Sequence, residues 1–312
     1  MSARFLISLD FELLWGVRDH ADRDSYGANV IGARRAIPRM LGLFEKYGIS
    51  ATWATVGFLF CSSRDELIAS LPPKELRPTY KDGRLSAYAY LDEIGVNEKE
   101  DPFYYGASLI DRIQQTPSQE IGTHTLSHYY CLEPGQSIAQ FEADLHAAVA
   151  LAGRRGIGLS SIVFPRNQFS QDHLAICHKL GLTNYRGTPS QWVYRSASGR
   201  DQTAIRRAGR LLDAHTGVLG DTSFAEDTSV PANVPASQFL WPCSGKLAAL
   251  HSFHVLAIKR GMTRAAKNQR GTISGGTHII SGTIWKPILR VLKMSFAILV
   301  PYVMILGCCR AP

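Results

Sequence analysis

Arg4-Phe5-Leu6-Ile7-Ser8-Leu9-Asp10-Phe11-Glu12 is the stretch on which the fold turns. Its apolar run fits a buried strand, and it ends in two carboxylates one residue apart. Strand alternation puts Asp10 and Glu12 on the same face. Beyond it, a helix is predicted from about Ile31 to Tyr47, with Gly48 as its stop. Ile49 to Val56 has the β-branched and aromatic content of a second strand. Residues 62–101 carry Pro72, Pro73, Pro78 and many charges, and read as a long excursion with short helices. A helix over Ser108 to Gln115 then leads to Glu120-Ile121-Gly122-Thr123-His124, another strand end. Ile138 to Arg154 is the clearest helix, because Ile138, Phe141, Leu145 and Val149 recur at near-helical spacing. Ser161 to Pro165 reads as a strand, Gln171 to Leu180 as a helix closed by Gly181, and Thr183 to Arg186 as a further strand. Strands alternating with helices, with polar residues at the strand ends, predict an α/β fold on a parallel sheet, either a barrel or doubly wound. No repeat or low-complexity linker divides the chain, so a single domain is expected.

With 312 residues, 45% of them apolar, the chain is long enough for a sizeable core. Half of the net charge of +8 comes from Gly271 to Pro312, which holds Lys286, Arg290, Lys293 and Arg310 and no acid. The remainder is too ordinary to argue for a nucleic-acid partner. Cys61, Cys131, Cys177, Cys243, Cys308 and Cys309 form no metal-finger spacing and read as reduced thiols. Phe5 to Leu9 meets Asp10 at once and is too short for the apolar region of a secretory signal, so a cytoplasmic location is expected.

Three polar clusters stand at strand ends. In His124-Thr125-Leu126-Ser127-His128 two histidines four apart would lie on one helix face and reach one cation. Such a pair is a weak signal alone, but this one directly follows a strand. Asp10 and Glu12 alone would pass for a polar strand end, and Arg166 in Phe164-Pro165-Arg166-Asn167-Gln168 for a surface charge. Parallel barrels carry their active sites at the C-terminal strand ends, so the three clusters together point to one site.

The strings LDFELLWGVRD (residues 9–19), QEIGTHTLSHYYC (119–131) and FPRNQ (164–168) carry a family resemblance. From Arg4 to about Arg270 the chain resembles the NodB-homology polysaccharide deacetylases, carbohydrate esterase family four, and most of all a cytosolic bacterial subgroup acting on surface polysaccharide. The resemblance implies a distorted (β/α) barrel and a divalent metal, zinc with cobalt as an alternative. It also implies hydrolysis of N-acetyl groups from amino sugars of a polysaccharide or its precursor, a metal-bound water attacking the acetamide. Carried over by motif, Asp10 is the general base, Glu12, His124 and His128 are the metal ligands, and Arg166 orients and charges the base. Many relatives have two adjacent aspartates where this chain has Asp-x-Glu, so the roles of Asp10 and Glu12 stay open to exchange. The family's general acid is a histidine in a His-Pro setting near the C-terminus. Trp15, Trp192 and Tyr194 could floor a sugar site, although core or surface is the plainer reading.

After Arg270 the resemblance stops. Met294 to Cys309 is uncharged and apolar around Pro301, slightly short for a membrane span, and membrane attachment is not expected. The genetic code offers another account. When the last base of each codon is grouped with the first two of the next, the codons through Ile288 are compatible, from Ile273 on, with His-Phe-Trp-Trp-His-Pro-His-Asn-Phe-Gly-Asp-Asn-Leu-Glu-Ala-Asn. That string looks like the missing family motif with its histidine. A one-base insertion or deletion near Arg270 is therefore expected, with residues 1–270 the deacetylase domain and 271–312 a non-native tail that costs the protein its acid and its last barrel strand. His251 and His254 are stand-ins for the acid only on paper and read as structural. The alternatives to an active deacetylase are a sugar-binding pseudoenzyme and a membrane-tethered protein.

Overall fold

The structure, a computed structural model, describes residues 4–195, 203–218, 220–239 and 251–276. Strand β1 (Arg4–Phe11) is followed by helix α1 (Arg23–Tyr47), β2 (Ala51–Thr55), α2 (Arg64–Ala69), α3 (Ala107–Gln115), β3 (Gln119–Thr123) and α4 (Ile138–Arg154). Then come β4 (Ser161–Val163), α5 (Gln171–Lys179), β5 (Asn184–Arg186), α6 (Ala204–Thr216), β6 (Ala232–Asn233), β7 (Gln238–Phe239), α7 (His251–Lys267) and β8 (Gly271–Gly276). The eight strands form one sheet in the order β6-β5-β4-β3-β2-β1-β8-β7. Every pairing in it is parallel.

This is the distorted (β/α) barrel expected from the resemblance, and the distortion sits between the two edge strands. β6 and β7 do not pair; the segment 234–237 joins them instead. Within it, the Ala236 N–H donates to Gly187 O just past β5, and the Ser237 N–H donates to Ile273 O of β8. An irregular stretch of backbone thus spans the gap that a regular ladder closes in an ideal barrel.

β1 shows why the sheet faces divide as they do. Ile7, Leu9 and Phe11 are buried in one apolar core with Val30, Ala33, Ile37, Met40 and Phe44 of α1. Each such large side chain contributes about 1.5–3 kcal/mol on burial. Ser8 and Asp10 alternate with them and face the barrel interior, where both meet Arg186 of β5. α1 begins at Arg23, earlier than its apolar pattern suggests, because Asp22 and Ser25 form a capping box. It ends as expected at Gly48, whose φ of 61° is left-handed.

The segment expected as a tail begins with β8. Gly271–Gly276 is a strand seated between β1 and β7, running from Arg4↔Gly271 to Leu9↔Gly276 along β1. Strand pairing is made by backbone groups, so a glycine-rich segment fills this position without a distinctive side-chain pattern to announce it. Residues 277–312, including the apolar stretch around Pro301, lie outside the described residues, as does the side chain of His251. Among the described residues no helix is long and apolar enough to cross a membrane.

Candidate metal centre

Glu12 follows β1 immediately, and the chain then turns through a short 3₁₀ helix (Leu13–Gly16). The carboxylate folds back over that turn, which exists in this form because residue 16 is glycine. A Cβ at Gly16 would lie 2.0 Å from Glu12 Cδ. His124 and His128 come from the loop after β3. The sequence places them on one helix face; the structure places them on an irregular loop, with Thr125 at φ 65° and His128 at φ 58°. That conformation lets the two rings converge, their centroids 4.9 Å apart.

The three side chains meet. Glu12 Oε2 is 3.1 Å from His128 Nε2 and 3.5 Å from His124 Nε2. All three residues are buried, and among the described residues they are the only group of three or more His, Cys, Asp or Glu close enough to share a metal. Ligand atoms held at roughly 2.0–2.1 Å by a tetrahedral ion stand about 3.3 Å apart, which matches this spacing. His124 Nδ1 lies 2.7 Å from Val163 O and donates to it, so its Nε2 carries the lone pair. That Nε2 is buried without a hydrogen-bond partner, an orphan acceptor facing Glu12.

Electrostatics favour the protonation states a divalent cation needs. Burial alone would raise the Glu12 pKa, but the hydrogen bonds and charges of His124 and His128 overcome it and hold the carboxylate below the usual range. Burial pushes the His128 imidazolium down to about 4, against its bond to Glu12, so at neutral pH the ring is an unprotonated donor. One carboxylate and two imidazoles fit zinc or a similar ion with open positions left over.

Asp10 is buried beside this group, on the barrel-interior face of β1. Its partner is Arg186, not Arg166. Arg186 Nη1 lies 2.7 Å from Asp10 Oδ1, and Nη2 donates to Oδ2 at 3.0 Å. The same Nη1 donates to Ser8 Oγ at 2.9 Å. Arg166 stands elsewhere: it pairs with Asp19, lies 3.6 Å from Glu133 and stacks over Tyr130 at 4.3 Å from the ring centre. The FPRNQ string marks the correct strand end, but the arginine that crosses the barrel to Asp10 comes from the next strand. Its sequence signal was a charged residue closing the short strand Thr183 to Arg186. A hollow of 20 Å³ lined by Asp10, Glu12, Tyr26 and Val30 has room for about one water.

Of the aromatic residues considered for a sugar floor, Trp15 is core, with its indole N–H donating to Tyr104 O, and Tyr194 is buried on Asp213. Trp192 is exposed. His254 is buried, its Nδ1 2.6 Å from Ala214 O, in keeping with a structural role. A larger cavity of 320 Å³ lies inside the barrel, lined by Ser8, Ser161, Asn184 and Arg186 among others; none of Glu12, His124 and His128 lines it.

No family model matches this chain, and no curated protein does. Among solved structures, a protein from Mycobacterium smegmatis assigned as a polysaccharide deacetylase superposes with a TM-score of 0.52 at 9% identity, covering 95% of this chain and 85% of its own. A 4-alpha-glucanotransferase from Thermococcus litoralis covers 96% of this chain and 36% of its own, at 10% identity and a TM-score of 0.48. A CE4 family pseudoenzyme from Bacillus anthracis covers 90% and 66%, at 10% identity and a TM-score of 0.36. The last two superpose too loosely to carry an argument. The first shows that the chain shares the fold of the polysaccharide deacetylases.

Proposed function

We propose that this chain is a metal-dependent deacetylase that removes N-acetyl groups from the amino sugars of a polysaccharide or its precursor. The observation that carries the reading is the convergence of Glu12, His124 and His128 beside the Asp10–Arg186 pair at the C-terminal ends of β1 and β3. A zinc or cobalt ion held by those three residues supplies Lewis acidity, polarising the acetamide carbonyl and lowering the pKa of water.

The chain's own residues do the rest. Asp10 takes the proton from the water that attacks the acetyl carbon, and Arg186 holds its carboxylate in place. A carbon–oxygen bond forms, the proton taken up by Asp10 is passed to the departing nitrogen as the carbon–nitrogen bond breaks, and acetate and a free amine leave. Val163 O fixes the His124 tautomer, so the Nε2 lone pair stays turned toward Glu12. Burial of the site strengthens each of these electrostatic contacts.

The test is acetate release from N-acetylglucosamine oligomers with and without added zinc or cobalt. The expected outcome is metal-dependent release that falls by roughly 10²–10⁴-fold in Asp10→Asn. Release that is unchanged in Asp10→Asn rejects the base assignment. A second reading, a sugar-binding protein that keeps the metal cleft without turnover, is favoured by the sequence after Arg270, where the family's histidine is missing. Stoichiometric metal binding with no acetate release from any N-acetylated oligomer would establish it.

A further inference from the structure

We infer that Asp144, on α4, is a positioning residue for the metal centre, setting the backbone between the two histidines. The inference rests on the metal reading above.

Asp144 is fully buried on the face of α4 that carries Phe141, Leu145, Ala148 and Leu151. A carboxylate on an apolar face is costly unless its oxygens are satisfied, and no Lys or Arg forms an ion pair with it among the described residues. Its partners are instead in the loop between His124 and His128. The Leu126 N–H donates to Oδ1 at 2.7 Å, and the Ser127 hydroxyl donates to Oδ2 at 2.5 Å. Both oxygens are thus spent on the two residues midway between the ligands.

The loop needs such a hold. Two of its non-glycine residues, Thr125 and His128, have left-handed backbone, a conformation that persists only where surrounding bonds over-determine it. Other bonds act on its flanks: the Thr125 N–H donates to Thr123 Oγ1, and the Tyr129 N–H donates to Thr125 Oγ1. Phe58 and Gly57 of the loop after β2 donate to Leu126 O and Thr125 O. Asp144 reaches the loop from α4 and binds Ser127, the residue next to His128.

The two ligands differ in how they are aimed. His124 has its second nitrogen fixed on Val163 O, the usual device for orienting a metal-binding imidazole. His128 Nδ1 is buried and makes no hydrogen bond. Its ring direction is therefore set by its backbone and by edge packing on Tyr130, 5.0 Å away. Asp144 acts on that backbone, in the place of the missing side-chain bond. Asn at 144 can still accept from Leu126 through its carbonyl, but its amide group cannot accept from Ser127.

The experiment is a cobalt titration of the metal-stripped, full-length chain, read by its visible absorption and by competition with zinc. Wild type, Asp144→Asn and Ser127→Ala are compared, with Glu142→Gln on the same helix as a control, since Glu142 pairs with Lys179 at the surface. The expected result is a 10–100-fold weaker cobalt affinity and an altered spectrum in Asp144→Asn, at unchanged far-ultraviolet circular dichroism. A smaller loss of the same sign is expected in Ser127→Ala, and none in Glu142→Gln. If wild type binds cobalt and Asp144→Asn binds it with the same affinity and spectrum, the inference is overturned while the metal reading stands. If wild type binds no cobalt, the metal reading itself has failed. Should Asp144→Asn not fold, an unchanged affinity and spectrum in Ser127→Ala overturns the inference alone.

Discussion

Gly16 has no side chain to spare, because the Glu12 carboxylate lies where one would begin. Gly16→Ala is expected to push Glu12 out of the cluster and weaken metal binding by about tenfold or more, at unchanged circular dichroism. Undiminished affinity in a competition titration would show that Glu12 is not a ligand. The Asp10–Arg186 pair makes a second prediction at this scale. Arg186→Met leaves a buried carboxylate without its counter-charge and should cost about 3–5 kcal/mol in urea unfolding. Removing the charge as well, in Asp10→Asn with Arg186→Met, should recover much of that loss, because no uncompensated ion remains. Additive losses in the double variant would contradict the pairing. Asp10, Glu12 and the two histidines were legible in the sequence because each cluster is local and closes a recognisable strand. Arg186 was not, because its partner is 176 residues away and nothing nearby in the chain announces it.

Elements were read well where a periodic pattern or a cap defines them and poorly where backbone bonds alone do. α4 runs over Ile138–Arg154 as its apolar spacing requires, and Gly181, at φ 84°, follows α5 as expected. The His124–His128 loop was misread as helix because four-residue spacing does not tell a helix from a loop held by Thr125, Thr123 and Asp144. α5 carries a pH prediction. His173 packs against Phe141 and holds its Ser170 partner at 2.7 Å, and burial pushes its pKa from the ordinary 6.5 down to about 4. The folded chain therefore binds fewer protons than the unfolded one between those values. Its contribution to stability is complete above pH 6.5 and is lost as pH falls toward 4. Thermal melts across this range should show that loss in wild type and a flatter acid limb in His173→Gln. An identical acid limb in the two proteins would mean that the imidazole is not held neutral there.

For the whole molecule, the barrel is closed unevenly, by the 234–237 segment and by β8. β8 runs beside β1 so that Gly276 is level with Leu9, one residue short of the level of Asp10. The hidden-frame His-Pro pair would fall at positions 277 and 278, directly after β8 in the sequence. Sequencing the source gene across the codons for Ala265 to Ile288 is expected to show that a one-base change restores the His-Phe-Trp-Trp-His-Pro string. Codons that cannot encode that string would make the tail genuine and move the sugar-binding reading ahead of catalysis.

By itself the sequence determined the alternation of strands and helices, the two carboxylates on one face of β1 and the histidine pair after β3. These depend on periods of two and 3.6 residues and on spacings within a single turn or strand end. Only the tertiary structure decided which arginine reaches Asp10, that Asp144 grips the histidine loop, and that a glycine-rich strand takes the place beside β1. Those choices depend on strand order, on how far the sheet curls and on backbone bonds between distant segments, and none of these leaves a mark in the local pattern of side chains.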